Sequence, residues 1–571
     1  MNKQELVKLL AVATAAVPGL LLSAAIASAQ GTSSDGFPAS IPKAICGPGD
    51  HTESGLQGET TQQERFSGDS ERAYNCNLEL VGQEDQDTFQ GAYSQDGPAY
   101  YDVCAYYGTD RAATGQGIKV IDASDPAHPR VTAHLTDTPA ALNPHETVAT
   151  NANSRLLAAG QTDGPNFAVY DISDCRHPVL KGQVNASSTS FHHMGAFAPD
   201  GKTYYATQNF RGVGGFLYIF DLSDPANPKS LPPWQYLGDG RPHSLLLNWS
   251  GFLPGVPEGT LLFAGQPGQF GAAPTDSSFG PDGLVIEDVS DYQFRRPNPQ
   301  IRIISKLFWA DQGQSEAMIP VKINGHPYLI STNEAGGAGG AGGWAAACAR
   351  GASAFGYPQI IDVADVTNPK IISKLRLEVS DPANCAALRA GTPPDVPGTA
   401  PGTNLPAISG TTNYSQETCV PDNPEDTKML ACSFQHAQLR VFDVSDPTHP
   451  KEIAYWKSGA VRTKVQPASG SWAAAWIEPS IRLLTGCAGS LSARAKARTR
   501  PSRMTTAMAT AMAMAMAMAT AMATAMAMAL AADPATRPIS SSGPSAMATA
   551  FRFSNFRKAS QRNTRISSQT R

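Results

Sequence analysis

Histidines recur in this chain at closely matching distances from a repeated aspartate. His145 follows Asp122, His192 and His193 follow Asp171, and His243 follows Asp221, all at nearly the same spacing. Glu316, somewhat farther beyond Asp288, fits the same place more loosely. If these positions are equivalent, imidazoles and a carboxylate converge on one point. Such a set suits a divalent transition metal, copper or zinc first, with iron also compatible. Glu146 or Glu316 would then be in place to act as a general base. Successive residues of a strand face opposite ways, so only one of His192 and His193 can turn inward. The competing reading is structural: polar side chains at the rim of a repeat assembly often do no more than hydrogen-bond neighbouring strands. No catalytic residue is assigned. The Gly-rich run Gly336–Gly343 lacks the GK[ST] of a phosphate loop, and no GxSxG, HExxH or CxxC is present.

The aspartates that set this spacing belong to a fixed phrase. It reads GIKVIDASDPAHP at Gly117–Pro129, FAVYDISDCRHP at Phe167–Pro178, FLYIFDLSDPANP at Phe216–Pro228 and LRVFDVSDPTHP at Leu439–Pro450. Weaker copies are LVIEDVSD at Leu284–Asp291 and PQIIDVADVTNP at Pro358–Pro369. Each copy predicts a strand buried on both faces, closed by Asp and a proline turn that cannot continue the ladder. A further strand follows most copies and a strand pair precedes them. About four strands per ~50 residues is the size of a propeller blade.

The phrase V-I-D-x-S-D-P-x-x-P after a hydrophobic strand resembles the LVIVD-repeat family of secreted bacterial proteins. The resemblance covers about Tyr100–Ser458. It implies an all-β fold, a β-propeller of about seven four-stranded blades, and a biochemical role that is largely undefined. Six phrases are visible, and a seventh blade is expected after Ser458, with Ser469–Trp476 as its first strand. An N-terminal strand, with Leu78–Gly82 as one candidate, is expected to help close the ring. Selenium-binding proteins are also propellers with His-rich inner positions and metal-dependent thiol oxidation, an analogy of fold and residue type only.

The chain has 571 residues and a net charge of −5, so no global field draws it to nucleic acid. Residues 1–29 read as a signal peptide: Lys3 and Lys8, an apolar stretch, then Ala27-Ser28-Ala29. Its removal implies export, a secreted or cell-surface location, and no integral membrane span. Eight cysteines outside the tail then read as up to four disulfides. Cys46–Cys76 and Cys385–Cys419 are the expected pairs. Residues 30–95 form an N-terminal extension and 96–480 the propeller. Residues 481–571 form a disordered, low-complexity tail, read as a frameshift product: Met-Ala repeats become Asp-Gly when the frame moves by one base. Two functions are compatible with this reading. One is a binding scaffold for a protein, glycan or small ligand, displayed through long loops at Gly265–Pro281 and Glu334–Gly356. The other is a metal-dependent, oxidoreductase-like enzyme built on the axial histidines.

Overall fold

The computed structural model describes residues 35–82, 99–108, 117–144, 148–162, 164–186, 191–208, 215–236, 242–266, 282–336, 347–348, 351–391, 414–459, 484–486 and 547–552. The expected signal segment, His145, Glu146 and the segment expected to start a seventh blade lie outside these residues, as does nearly all of the expected tail. Ser40 onward forms one compact unit. In the short unit before it, the Phe37 amide donates to Asp35 Oδ1.

Among the described residues six antiparallel sheets follow one another along the chain, each built from four consecutive strands. The first blade is Ala99–Tyr101, Cys104–Tyr107, Ile118–Asp122 and Arg130–Leu135. The second is Ala149–Asn151, Leu156–Gly160, Asn166–Asp171 and Val179–Asn185. The third is Phe191–Phe197, Thr203–Gln208, Phe216–Asp221 and a split outer strand, Lys229–Ser230 with Trp234–Gln235. The fourth is Ser244–Leu247, Leu261–Gln266, Asp282–Asp288 and Arg302–Trp309. The fifth is Gln312–Ile323, His326–Gly336, Gln359–Asp362 and Lys370–Lys374, and the sixth Gln416–Pro421, Met429–Phe434, Gln438–Asp443 and Lys451–Lys457.

The phrase does what its chemistry requires. The strand-closing Asp of each copy accepts the amide two residues on: Asp122 from Ser124, Asp171 from Ser173, Asp221 from Ser223, Asp288 from Ser290, Asp362 from Ala364 and Asp443 from Ser445. The second Asp repeats the device, as in Asp174 to Arg176 and Asp446 to Thr448. These aspartates are turn caps. His128, His177 and His449 bind the cap aspartate three residues earlier and stay exposed, as turn residues should. Burial raises the Asp122 carboxyl, but hydrogen bonds from Arg176, Ser124 and Arg130 outweigh it and hold it well below the carboxylate range. Arg176 reaches it from the second blade at 2.8 Å, so the cap also joins two blades.

Both faces of each phrase strand are buried because blades pack face to face. Ile118 and Val120 meet Ala168 and Tyr170 between the first and second blades. Phe167 and Val169 meet Tyr204 and Phe220 between the second and third. Further clusters fill the third-to-fourth, fourth-to-fifth and fifth-to-sixth junctions. At the sixth blade the arrangement changes. Tyr74–Cys76 adds a fifth strand to its outer edge, and Leu78 packs on its far face against Leu439, Val441 and Trp456. A side chain at Gly82 would meet the carbonyl oxygens of Pro126 and Ala127 in the first blade at 2.4 and 2.6 Å. The segment 74–82 therefore touches both the last and the first blade. The pairing strand is Tyr74–Cys76 rather than Leu78–Gly82; Glu79–Gly82 pairs instead with Met547–Arg552.

Among the described residues four disulfides form: Cys46–Cys76, Cys104–Cys175, Cys348–Cys385 and Cys419–Cys432. The expected Cys385–Cys419 pair is corrected. Cys419 and Cys432 face each other across two adjacent strands, so Cys385 bonds to Cys348. Among the described residues no helix is long and apolar enough to cross a membrane.

The extension wraps the fifth and sixth blades through a buried ionic network. Arg440 is fully buried between Glu53 and Glu452, and Lys457 binds Glu53 at 3.0 Å and Thr60 Oγ1 at 2.7 Å. Burial raises Glu53, but the Arg440 and Lys457 charges outweigh it and bring its carboxyl down to about 2.

Candidate functional site: an axial histidine and glutamate cluster

The inner strands carry a shared irregularity. In three of them the ladder to the second strand slips: between Phe191 and Gly195, between Ser315 and Met318, and between Gln416 and Cys419. A β-bulge of this kind re-aims the side chains it contains. The bulged stretches hold His193, Glu316 and Glu417.

A hydroxyl from the second strand fills each bulge. Thr207 Oγ1 accepts the Met194 amide at 3.0 Å and lies 3.1 Å from its carbonyl. Thr332 Oγ1 accepts the Ala317 amide at 2.8 Å. Ser433 Oγ accepts the Thr418 amide at 3.3 Å and contacts its carbonyl at 3.4 Å. His193, Glu316 and Glu417 each immediately precede the clamped residue, so they occupy equivalent positions in the third, fifth and sixth blades. In the fourth blade Gly265 stands where the hydroxyl would be. A Cβ there would lie 1.8 Å from the Glu316 carbonyl oxygen, so only glycine admits the fifth blade's inner strand.

These side chains meet. The rings of His193 and His243 stack with centroids 4.7 Å apart, and both residues are buried. His243 Nε2 lies 3.9 Å from Glu334 Oε2. Carboxylate oxygens of Glu316, Glu334 and Glu417 lie within 4.8 Å of one another. Two amides hold the carboxylates: Gln314 donates to Glu334, and Gln435 donates to Glu417 Oε1 at 2.5 Å. The Ser315 amide is fixed by Asp282 at 2.7 Å.

His243 Nδ1 lies 3.2 Å from the Ser315 carbonyl oxygen, which can only accept. That bond places a proton on Nδ1 and turns Nε2 toward Glu334. A backbone carbonyl on one ring nitrogen is the usual way a protein presents the other nitrogen as a metal ligand. Two unit charges 4.8 Å apart repel by about 3 kcal/mol at an effective dielectric of about 20. Three clustered carboxylates therefore favour a compensating cation among them.

Of the residues singled out from sequence, His193, His243 and Glu316 come together. His145 lies outside the described residues. The backbone of His192 lies in the third blade's inner strand, and its side chain is outside the described set. Glu334 and Glu417 are additions. Glu417 escapes a forward count because the 393–411 insertion carries it far beyond the ordinary spacing from Asp362. A backward count finds it: Glu417 precedes Asp443 by nearly the same interval as His193 precedes Asp221. Glu334 sits on a second strand and has no equivalent in the inner-strand scheme. His326 starts the strand after the Asn324–Gly325 turn and binds Asp362 Oδ1 at 2.9 Å, outside the cluster. His436 packs edge-on to Tyr414.

The cluster lies near the N-terminal ends of the inner strands. By antiparallel pairing, the connections from second to third strands and from one blade to the next leave at this same end, whereas the proline turns leave at the other. The second strands Leu261–Gln266 and His326–Gly336 end on the cluster's side.

Six successive four-stranded sheets define a β-propeller. The model of the LVIVD repeat matches residues 433–456, from the end of the sixth blade's second strand through its third and most of its fourth. The protein is an LVIVD-repeat β-propeller. No curated protein matches the sequence. Solved structures are similar at low identity. The hydrazine synthase of Kuenenia stuttgartiensis has 12% identity and a TM-score of 0.36, over 70% of this chain and 80% of that one. A hypothetical selenium-binding protein of Sulfolobus tokodaii has 13% identity and a TM-score of 0.36, over 66% and 73%. A putative 6-phosphogluconolactonase of Bacteroides fragilis has 12% and 0.33, over 62% and 94%. The propeller assignment rests on sheet order and not on these likenesses.

Proposed function

We propose that this protein is an exported metal-binding propeller whose axial cluster holds a divalent transition metal and presents it to a ligand entering at the loop-bearing end. The observation that carries the reading is the convergence of Glu316, Glu334 and Glu417 within 4.8 Å, with His243 Nε2 aimed at Glu334. Three oxygen donors and one imidazole favour Zn²⁺, Mn²⁺ or Fe²⁺ over a copper site richer in nitrogen or sulfur. Bound there, the metal would act as a Lewis acid or a generator of hydroxide. His193, stacked on His243, orients that ring, and Gln314 and Gln435 fix two of the carboxylates. The leader-like residues 1–29 and the four disulfides support action in an oxidising space.

The test is metal analysis and Zn²⁺ titration of chelator-stripped protein. One equivalent should bind saturably, and Glu316→Gln with Glu417→Gln should weaken it at least 100-fold. Absence of saturable binding in a fully folded protein would overturn the metal reading and leave the loop-bearing face as a binding scaffold for a protein, glycan or small ligand.

A further inference from the structure

We infer that the Cys419–Cys432 disulfide is a register lock: it fixes the position of the bulge that turns Glu417 into the axial cluster, and so supports ligand binding on the axis. The inference rests on the metal-binding reading for its functional half and on strand register for its structural half.

The ladder of the sixth blade pairs Gln416 with Phe434 and next pairs Cys419 with Cys432. The inner strand advances three residues while its partner advances two. The extra residue lies between those rungs, at Glu417–Thr418. A bulge of one residue can migrate along a pair of strands, because each step exchanges equivalent backbone hydrogen bonds. Migration past Glu417 would return it to regular pairing and turn its side chain to the other face of the sheet. A covalent rung at Cys419–Cys432, with Cα atoms 4.0 Å apart, is the first rung beyond the bulge and forbids that step.

The equivalent rungs elsewhere are not covalent. They are Gly195–Ala206 in the third blade and Met318–Ser331 in the fifth. Those bulges have the tighter clamp, with Thr207 and Thr332 accepting their amides at 3.0 and 2.8 Å. In the sixth blade the clamp is a serine with contacts of 3.3 and 3.4 Å. A serine hydroxyl also lacks the second Cβ substituent that restricts a threonine rotamer. Of the three clamped bulges, the one with the longest amide contact is the one followed by a disulfide rung. Both cysteines are buried, at 1% and 0% exposure, so the link acts on the strands it joins.

The experiment compares full-length wild type, Cys419→Ala/Cys432→Ala, the same pair with Ser433→Thr, and Cys348→Ala/Cys385→Ala as a disulfide-loss control. Zn²⁺ titration is read beside amide hydrogen exchange over residues 416–434. The lock predicts 10–100-fold weaker Zn²⁺ binding and faster exchange at 416–421 in the Cys419/Cys432 variant. It predicts recovery of both on adding Ser433→Thr and unchanged affinity in the control. Equal Zn²⁺ affinity and unaltered exchange in the Cys419/Cys432 variant would overturn the lock. If wild type binds no Zn²⁺ but exchange still rises in that variant and recovers with Ser433→Thr, the lock stands and only the metal reading falls.

Discussion

Glu287 should make the propeller less stable as pH rises, and replacing it should remove that dependence. It lies in the phrase strand of the fourth blade, fully buried, with Tyr236 Oη donating to Oε2 at 2.9 Å. Its other oxygen, Oε1, has no hydrogen-bond partner among the described residues. Burial is the main cause that raises its carboxyl from the ordinary 4.5 to about 8, against smaller opposing effects of Tyr236 and Lys306. The folded state thus keeps a proton that the unfolded state releases above pH 4.5. Stability from this group is complete below that value and is lost as pH climbs toward 8. At about 1.4 kcal/mol per pH unit, the span from 4.5 to 8 corresponds to a ceiling of about 5 kcal/mol. Glu287→Gln keeps an oxygen for the Tyr236 hydroxyl and carries no charge. Urea denaturation of both proteins at pH 5, 7 and 9 would measure the effect. The two curves should nearly coincide at pH 5, and the variant should be more stable by several kcal/mol at pH 9. A difference that stays constant from pH 5 to 9 would refute the burial argument.

Three other outcomes follow from the packing. Gly265→Ala puts a Cβ 1.8 Å from the Glu316 carbonyl oxygen, so the fifth blade's inner strand must shift by more than an ångström. Zn²⁺ binding should weaken at least tenfold, and an unchanged dissociation constant would show that Glu316 is not held through this contact. Arg440→Met leaves Glu53 and Glu452 buried without their shared guanidinium and should cost about 3–5 kcal/mol in urea denaturation. It should also open residues 40–72 to protease; a loss below about 1 kcal/mol would count against the network as the anchor of the extension. Thr332→Val keeps the shape but removes the acceptor of the buried Ala317 amide. It should cost about 1–3 kcal/mol by thermal or urea unfolding, while the same change at an exposed threonine should cost almost nothing.

How far the site could be read in advance depended on how regular the repeat is. The forward count from Asp171 and Asp221 finds His193 and His243 because the third and fourth blades enter without long insertions. It misses Glu417 because chain inserted between the fifth and sixth blades changes the count without changing the ladder. A local signal remained in the hydroxyl residues Thr207, Thr332 and Ser433 of second strands, but only the bulge they clamp gives that signal meaning. The Cys385–Cys419 expectation failed for a related reason. Sequence spacing suggested closure of a long loop, whereas Cys419 faces Cys432 across one strand pair.

What the sequence determined by itself was the blade. A strand apolar on both faces, an aspartate that caps its own backbone, and a proline that ends the ladder are all local chemistry, and they recur wherever the phrase occurs. The tertiary structure decided what meets at the axis. Whether His193, His243, Glu316, Glu334 and Glu417 face one another depends on slips in separate ladders and on a glycine in a neighbouring blade. Such features arise only when sheets pack around a common centre, because their geometry belongs to pairs of strands and not to any one stretch of chain.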